Sequence, residues 1–521
     1  MHSRWPVHAG LRHLARRHVP IRHSHTTLSQ PPQTHLITTP TGQTYEPIIG
    51  LEVHAQLLTS TKLFSPAPSL PSSSSPNIAV DPTDAAFPGT LPVLNAQAVT
   101  LAVKTALALE SDIQLVSSFD RKHYFYPDLP PGYQITQFWN PIARGGSLAV
   151  GMADGLPYTR RVRFMQIQLE QDSGKSVLGV KDGQTLVDLN RAGVGVLELI
   201  TEPDLRSSLE TVTFLKKLQR LLWYTSISSP DMDEGAWRCD INVSVRPLGA
   251  PYGTRTEIKH LVKFTSIKAA IEYEIDRQVQ LLELGQPVQQ ETRSFDPRLA
   301  QTVRLRGKEG VQDYRYMPEP DLPSIHLTPA FISNISQTLP EPLDTRRTRL
   351  AKQYKLSPYQ IEILMSEPGA VEYFEKVAVG RRGGKVANWI IGDLFGSLRS
   401  RHLNLLSCTV QPTRLGALID LVETGRVSGL RAKDILHTMM DGNTQSPLEI
   451  AQEQGWILAS DVQALEKLCE ELLEEFPEMA VKVRNGKTRV IKFFVGEVMK
   501  RTKGKSDPVL VAEVFAKLFK M

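Results

Sequence analysis

The chain has 521 residues, 41% hydrophobic and 22% charged, a composition typical of a globular protein with several domains. Its net charge of +5 resides in the first 45 residues, which carry five arginines and no acid, so the remainder is neutral. The three cysteines form no C-x-x-C pair and no apolar run approaches the roughly 20 residues that span a bilayer, which argues against a disulfide framework, a local zinc site and an integral membrane protein.

Residues 1–45 differ from the rest of the chain in charge and composition. Besides the five arginines they contain Ser, Thr, scattered apolar residues and seven of the thirteen histidines. An arginine-rich N-terminus without acids is typical of a mitochondrial transit peptide, and the alternative is a disordered basic arm that binds nucleic acid. We therefore expect a leader that directs the protein to the mitochondrial matrix.

The first predicted strand contains the sequence GLEVHAQL at residues 50–57. With a period of two, Leu51 and Val53 fall on one face, whereas Glu52 and His54 fall on the other. One face suits a hydrophobic core, and the other offers a carboxylate and an imidazole. Taken alone, this pattern predicts a half-buried strand with a solvated polar face.

An aromatic segment follows at residues 119–137, with the sequence FDRKHYFYPDLPPGYQITQ. Its tyrosines and phenylalanines stand beside Arg121 and Lys122, and several prolines stiffen the segment. Such a combination could stack a nucleotide base, and packing in a core is the alternative. A similar segment, DYRYMPEPDLP, occurs at residues 313–323.

Three later segments repeat the alternation of the first strand: MQIQLE (165–170), WRCDINVSVRP (237–247) and TRTEIKH (254–260). Each has one apolar face and one face dense in acids, amides or basic residues. The turn PLGAPYG between the last two predicts a β-hairpin. A recurring polar face rich in Glu, His, Asp, Asn and Arg indicates the floor of a shared polar site rather than a solvated surface.

Glu198 lies within VGVLELI, an apolar run that is typical of a strand buried on both faces. A carboxylate in such surroundings must be paired, bound to a metal or protonated. The structural alternative is a salt bridge to a nearby arginine such as Arg191.

Predicted helices begin near Ser207–Ser208 and near Thr265–Ser266, the second ending at Gly285, and helical patterns dominate after residue 340. The fold class is therefore α+β. We expect an antiparallel-sheet cradle that forms the catalytic domain at 46–340, an all-α domain at 341–452 and a small helical tail domain at 453–521. Residues 482–520 of the tail hold eleven Lys or Arg and only three acids.

Oxygen-bearing side chains and one histidine are the candidates for a magnesium site: Glu52, His54, Glu170, Asp172 and Glu198. The stretch LEQDSGKS at 169–176 ends like a phosphate-binding loop but lacks its first glycine, so it is not one, although Lys175 could reach a phosphate. The chain has no G-x-S-x-G elbow and no G-x-G-x-x-G that opens a strand–helix unit.

Together these motifs resemble a known family. GLEVHAQL, TKLFSPAP, FDRKHYFYPDLPPGYQITQF, DLNRAG, LELITEPD, MDEGAWRCDINVSVRP, GTRTEIKH, QETRSFD and DYRYMPEPDLP occur in this order, followed by VANWIIGDL and GEVMKRTKGKSDP. They resemble the B-subunit family of glutamyl-tRNA(Gln) amidotransferases, in its mitochondrial form. The resemblance extends from about residue 46 to the C-terminus.

The resemblance implies a glutamine-hydrolysing glutaminyl-tRNA synthase, a carbon–nitrogen ligase that takes its amido nitrogen from glutamine. ATP and Mg²⁺ would phosphorylate the side chain of a tRNA-bound glutamate, and ammonia would then displace the phosphate. The implied partners are an amidase (glutaminase) as the A subunit, Glu-tRNA(Gln) and a small third subunit, with no membrane insertion. Many relatives carry a cysteine zinc cluster where this chain reads LFSPAPS, so no zinc is expected.

The resemblance also assigns roles to residues. It implies His54 and Glu198 as metal ligands, and a further ligand from the second position of the family's Glu-Glu-Asp run, here Glu170-Gln171-Asp172. Gln171 would then offer its carbonyl oxygen to the metal, or Glu170 would bind it instead. We expect Glu52 to act with His54, Glu170 and Glu198 in catalysis, and Lys175 and Arg191 to bind the nucleotide. The tail domain is expected to bind tRNA through six basic residues: Lys487, Arg489, Lys500, Arg501, Lys503 and Lys505.

Two alternative functions stay open from the sequence. Because Gln171 carries one negative charge less than the family's glutamate, the chain could be a non-catalytic tRNA-binding scaffold. An ammonia ligase that acts on a free small acid is the other alternative, and it would not need the basic tail.

Overall fold

The computed structural model describes residues 35–519 except for 72, 179–183, 233–234, 308–312, 459–461, 486, 503–505 and 507. Most of the predicted leader, residues 1–34, therefore lies outside the described residues. The chain forms two compact units, one up to Leu339 and the other from Pro340. The finer predicted division of the second unit after residue 452 stays a prediction.

The first unit contains all of the described strands. Three of them, β2, β9 and β13, are much longer than the others. In chain order the strands are β1 (Ile37–Thr38), β2 (Thr44–Gln56), β3 (Asp112–Ile113), β4 (Val116–Ser117), β5 (Asp120–His123), β6 (Tyr133–Thr136), β7 (Ala143–Arg144), β8 (Ser147–Val150), β9 (Arg160–Gln171), β10 (Lys175–Leu178), β11 (Thr185–Asp188), β12 (Gly195–Thr201), β13 (Trp237–Pro247), β14 (Thr256–Leu261), β15 (Glu291–Asp296), β16 (Gln301–Gly307), β17 (Met317–Pro318) and β18 (Ile325–His326).

One large sheet organises this unit. Its strands follow the order β16-β15-β14-β13-β2-β12-β9-β7-β3, with β1 paired to β2 and β8 paired to β9. Neighbours are antiparallel except for β14 and β15. The predicted hairpin of β13 and β14 is confirmed, and so is the α+β fold class. A separate three-stranded sheet has the order β17-β5-β6.

The alternation of apolar and polar residues along β2 explains why this strand lies in the middle of the sheet. Leu51 and Val53 are buried, with 1% and 0% of their surface exposed. Burial of such side chains stabilises the fold by about 1.5–3 kcal/mol each. Because β2 pairs with β13 on one edge and β12 on the other, its polar face lies between two neighbours that also carry polar side chains.

The helices of the first unit are α1 (Ala96–Ala108), α2 (Ser208–Tyr224), α3 (Phe264–Glu283) and α4 (Pro329–Gln337). Helix α2 begins as predicted, because the Ser207 hydroxyl accepts a hydrogen bond from the amide of Glu210. Helix α3 begins one residue earlier than predicted, and Gly285, with φ of +68°, follows its end. Helix α3 packs on β13 and α2 packs on α3.

The described elements of the second unit are helical, which the sequence predicts. They are α5 (Leu343–Tyr354), α6 (Pro358–Ser366), α7 (Ala370–Ala378), α8 (Gly383–Asn388), a π-helical turn (Trp389–Leu394), α9 (Phe395–Ser400), α10 (Pro412–Glu423), α11 (Gly429–Met440), α12 (Pro447–Glu453), α13 (Val462–Glu475), α14 (Pro477–Arg484), α15 (Ile491–Arg501) and α16 (Pro508–Leu518). Helices α13 to α16 share a hydrophobic cluster centred on Leu472, Phe494 and Phe515. Among the described residues, no helix has both the length and the apolar character that crossing a bilayer requires.

Candidate functional site

The register of three adjacent strands brings the candidate acids and the histidine together. Glu198 of β12 stands opposite His54 of β2 on one side and opposite Gln168 of β9 on the other. Glu170 lies two residues beyond Gln168 and therefore on the same face of β9. The polar faces of β2, β9 and β12 thus form one continuous surface.

Four side chains form the centre of this surface, and we call them the acidic cluster: Glu52, His54, Glu170 and Glu198. The Nε2 atom of His54 lies 3.7 Å from Oε1 of Glu170 and 4.0 Å from Oε1 of Glu198. One ligand atom from each of Glu52, His54 and Glu198 lies within 4.8 Å of the others. Glu170 and Glu198 are buried, at 3% and 4% exposure.

The pKa values of Glu198 and Glu170 are shifted in opposite directions. Burial, together with the negative charges of Glu170 and Glu52, raises the pKa of Glu198 well above its ordinary value. Burial also opposes ionisation of Glu170, but the positive charge of Lys122 and the contact with His54 outweigh it and bring the pKa of Glu170 to about 2. The surroundings therefore favour the neutral form of Glu198 and the ionised form of Glu170.

The neighbouring charges also shift the pKa values of Glu52 and His54. Burial raises the pKa of Glu52, but its hydrogen bond with Glu198 and the charges of His54 and Lys122 outweigh burial, so the pKa is lowered. Burial lowers the pKa of His54, but the carboxylates of Glu170 and Glu52 outweigh it and raise that pKa. The pKa shifts thus favour ionised Glu52 and Glu170, neutral Glu198 and a more basic imidazole at His54.

The acidic cluster fits a divalent metal ion. The Oε2 atom of Glu170 is buried and has no hydrogen-bond partner among the described residues, although buried carboxylate oxygens normally have one. Close carboxylates are the ligands that hard cations such as Mg²⁺ prefer. A cation would offset the repulsion among these carboxylates, which contributes to the raised pKa of Glu198.

Positive side chains surround the cluster in a cavity of about 450 Å³. Most of them are already paired. Arg238 makes a bidentate pair with Asp172 at 2.8 and 2.9 Å, and Lys259 contacts the Asp240 carboxylate at 2.5 Å. Arg191 lies 3.6 Å from Asp172 and donates to the carbonyls of Ser173 and Gly174.

Lys122 differs from these cations. In the described part of the chain no carboxylate lies within ion-pair distance of it, and its Nζ atom lies 5.1 Å from the centre of the Tyr314 ring. Burial lowers the pKa of Lys122, but the charges of Glu170 and Glu198 outweigh it and raise that pKa. Lys122 is therefore a protonated ammonium that lines the cavity and remains available to an anionic ligand.

The structure separates other predicted residues from the cluster. The side chain of Gln171 lines a different cavity, of about 340 Å³, because adjacent residues of β9 point to opposite faces. The hypothesis that Gln171 supplies a metal ligand is therefore not supported, and Glu170 occupies the cluster instead. Lys175 lies on β10, which pairs only with β11 among the described strands, and it lines neither cavity.

Arg191 and Asp172 pair with one another rather than with the cluster. The suggested salt bridge between Arg191 and Glu198 is wrong, because Glu198 interacts with Gln168 and Glu52. Arg191 nevertheless lines the same cavity as Glu52, His54 and Glu170.

The predicted tRNA-binding residues of the second unit are partly described. Lys487, Arg489, Lys500 and Arg501 are exposed. Of these, Arg501 pairs with Glu475. Lys503 and Lys505 lie outside the described residues.

Sequence reasoning missed the side chains that orient the acids. The amide Nε2 of Gln134 donates to Glu170 Oε1 at 2.5 Å, and the hydroxyl of Tyr124 donates to Gln134 Oε1 at 2.9 Å. Gln168 Nε2 donates to Glu198. The alternating pattern of MQIQLE was a usable signal for Gln168, but no local pattern indicates that β6 packs on β9.

Comparison with known proteins agrees with this architecture. Residues 47–333 match the family model of the GatB/GatE catalytic domain, and residues 372–519 match that of the GatB domain. Together these segments include the whole acidic cluster and helices α8 to α16.

Similar proteins cover almost the whole chain. The B subunit of the aspartyl/glutamyl-tRNA(Asn/Gln) amidotransferase of Trichodesmium erythraeum is 41% identical over 92% of this chain and 99% of its own length. The B subunit of the mitochondrial glutamyl-tRNA(Gln) amidotransferase of Naegleria gruberi is 40% identical over 90% of this chain and 94% of its own. A Rickettsia rickettsii protein with the same name as the Trichodesmium protein is 40% identical over 90% of this chain and 96% of its own length. The chain therefore belongs to the GatB family of amidotransferase B subunits.

Proposed function

We propose that this chain is the subunit of a mitochondrial Glu-tRNA(Gln) amidotransferase that activates and amidates the tRNA-bound glutamate. ATP would phosphorylate the glutamate side chain, and ammonia from a glutaminase subunit would then yield Gln-tRNA(Gln). The observation that supports this most directly is the acidic cluster beside Lys122, a cation of the same cavity that has no ion-pair partner among the described residues. The names of the relatives support the substrate class.

The chemistry explains why such a site is needed. Ammonia cannot displace oxide from a carboxylate, because oxide is a very poor leaving group. Phosphorylation converts one carboxylate oxygen into a phosphate leaving group, and the γ-phosphate bond of ATP breaks as the new acyl phosphate bond forms. Phosphoryl transfer depends mainly on positioning and on neutralising negative charge.

The residues of the cavity can meet both requirements. Glu52, His54, Glu170 and Glu198 would hold Mg²⁺, which supplies charge neutralisation to phosphate oxygens when bound. Lys122 would bind the transferring phosphoryl group or the substrate carboxylate, because no carboxylate of the described chain competes for its ammonium at ion-pair distance. Gln134 would hold the carboxylate of Glu170 in place through its 2.5 Å hydrogen bond.

The location and partners are part of the proposal. The acid-free leader and the mitochondrial relative from Naegleria support a mitochondrial protein, and we place it in the matrix. The implied partners are Glu-tRNA(Gln), an amidase subunit and a small third subunit. The exposed basic residues of α15 and of the segment before it support tRNA binding by the tail.

An amidation assay tests this function. The purified complex would receive misacylated Glu-tRNA(Gln), ATP and Mg²⁺, with glutamine, with ammonium chloride or with neither. We expect Gln-tRNA(Gln) to form with either nitrogen source and none without ATP. Product formed without ATP, or no product with either source, would refute the proposal.

Deletion of the tail separates the tRNA-dependent enzyme from a ligase for free acids. Removal of residues 453–521 should weaken use of Glu-tRNA(Gln) strongly, because the proposed tRNA contacts are lost. If a complex with that deletion amidated free glutamate as well as the intact complex does, the ligase alternative would be correct.

A further inference from the structure

A row of aromatic rings beside the cavity has no part in the proposed chemistry. We call it the aromatic shelf. Its members come from the ends of β5 and β6 and from the segment before β17, the three strands of the smaller sheet. The shelf comprises Tyr124, Phe138, Trp139, Tyr314 and Tyr316.

The rings of the shelf are in continuous contact. Tyr124, which lines the cavity, meets Tyr314 with ring centroids 6.3 Å apart, and Tyr314 meets Tyr316 at 6.0 Å. Tyr316 stacks on Phe138 with centroids 3.9 Å apart and an interplanar angle of 10°. Phe138 meets Trp139 edge-on at 4.8 Å. The shelf therefore leads from the wall of the cavity to Trp139.

The outer end of the shelf is open to solvent. Trp139 is 58% exposed and Phe138 is 36% exposed. In the segment 119–137, Phe125 and Tyr126 are also exposed, so the alternative that its aromatic residues only fill a core is wrong for these two. An exposed indole next to a polar cavity is a ready surface for a ligand with a flat ring.

The backbone below the rings is held firmly. The amide of Trp139 donates to Asp120 Oδ2 at 2.9 Å, and its carbonyl accepts from Arg144 at 2.8 Å. Between Tyr314 and Tyr316, Arg315 has a φ of +46°, a conformation that costs a non-glycine residue energy. Hydrogen bonds from His123 to the carbonyls of Tyr314 and Arg315 maintain it, both at 2.9 Å.

We propose that the aromatic shelf binds the unpaired nucleobases at the 3′ end of the RNA substrate. The inference rests on the proposed function, because the acid to be amidated must enter the cavity while the RNA that carries it leads outside. Single-stranded bases stack on aromatic side chains, and the shelf runs along that path. Lys122 lines the cavity and its Nζ lies 5.1 Å from the centre of the Tyr314 ring, so a cation is available beside the shelf for the terminal phosphate or ester.

A binding cycle with Trp139→Ala tests this inference in the complete complex. Dissociation constants would be measured for tRNA(Gln), for the same tRNA without its unpaired 3′ nucleotides, and for ATP. We expect Trp139→Ala to weaken full-length tRNA binding by about five- to 100-fold. Binding of the shortened tRNA and of ATP should match the wild-type values.

Matched variants show whether a loss of binding comes from the missing ring or from misfolding. Trp139→Phe keeps a stacking ring and should retain most of the affinity for full-length tRNA. Tyr359→Ala, which removes an exposed ring from α6, should change nothing. Thermal denaturation of each complex establishes that the variants fold.

Three outcomes would overturn the inference: equal loss for full-length and shortened tRNA, loss of ATP affinity instead, or no loss at all. The second would assign the shelf to the adenine of ATP. Because the cycle measures binding without catalysis, a wild-type complex that binds normally but makes no Gln-tRNA would refute the proposed function and leave the shelf assignment intact.

Discussion

Glu52 of β2 and Glu198 of β12, on adjacent strands of the central sheet, bring carboxylate oxygens within 4.8 Å of each other. Burial and the charges of Glu170 and Glu52 raise the pKa of Glu198 well above its ordinary value, whereas the interaction with Glu198 helps to lower the pKa of Glu52. Close carboxylates, one of them with a raised pKa, are the arrangement expected where a cation can displace a proton.

Binding of Mg²⁺ should therefore release a proton. Since the raised pKa of Glu198 favours its neutral form and the metal needs the ionised form, Mg²⁺ affinity should rise as the pH increases through that pKa. Calorimetric titrations in two buffers with different ionisation enthalpies measure the proton release directly. The control, Glu198→Gln, should release fewer protons, those of His54 alone, and bind Mg²⁺ at least about tenfold more weakly. Proton release that is unchanged in Glu198→Gln would contradict the assignment.

Lys122→Met should lower kcat for amidation by about 10²–10³-fold, because loss of one preorganised positive group at a site of developing charge has effects of that size. Binding of tRNA to the tail should be unaffected. The matched control is Lys268→Met, since Lys268 lies on α3 and has an exposed side chain. Steady-state kinetics with Glu-tRNA(Gln) would check both variants, and a Lys122→Met complex with wild-type kcat would remove Lys122 from the mechanism.

Gln171→Glu should leave Mg²⁺ affinity within about twofold of the wild-type value, because the side chain of residue 171 lies on the opposite face of β9 from the acidic cluster. Glu170→Gln should weaken the same affinity by at least about tenfold, since Glu170 faces His54 at 3.7 Å. Titration with Mg²⁺ monitored by calorimetry compares the two. If Gln171→Glu tightened binding strongly, the family's second acid would be a ligand after all.

Exchange of Lys487 and Arg489 for alanine should weaken tRNA binding and reduce the slope of log Kd against log salt by about 2, one for each lost phosphate contact. Exchange of Lys352 and Lys376, two exposed lysines of α5 and α7, is the control and should leave the slope unchanged. Filter binding at several salt concentrations gives the slopes. Equal slopes for the wild type and the tail variant would argue against tRNA contact there.

The sequence predicts the strands of the site well, because alternation with a period of two is a local property. It places Glu52, His54 and Glu170 on polar faces without any knowledge of strand order. It does not reveal which strands are neighbours, and the contact of Gln134 with Glu170 depends on such a non-local pairing.

The alternation of faces along a strand also explains why the sequence motif suggested Gln171 as a metal ligand. A motif read as a run of neighbouring acids treats positions 170 and 171 as equivalent. On a strand a shift of one residue changes the face, so only one of the two can reach the cluster. The role of Lys122 is also a non-local property, because only the three-dimensional arrangement shows that no described carboxylate pairs with it.

Transfer of the labelled γ-phosphate of ATP to Glu-tRNA(Gln), in the absence of any ammonia source, tests the central claim most directly. The wild-type complex should accumulate a labelled acyl phosphate on the tRNA-bound glutamate in the presence of Mg²⁺. The His54→Ala complex should bind the tRNA with wild-type affinity but accumulate no label. Equal labelling by both complexes would contradict the site, and no labelling by the wild type would favour the non-catalytic scaffold.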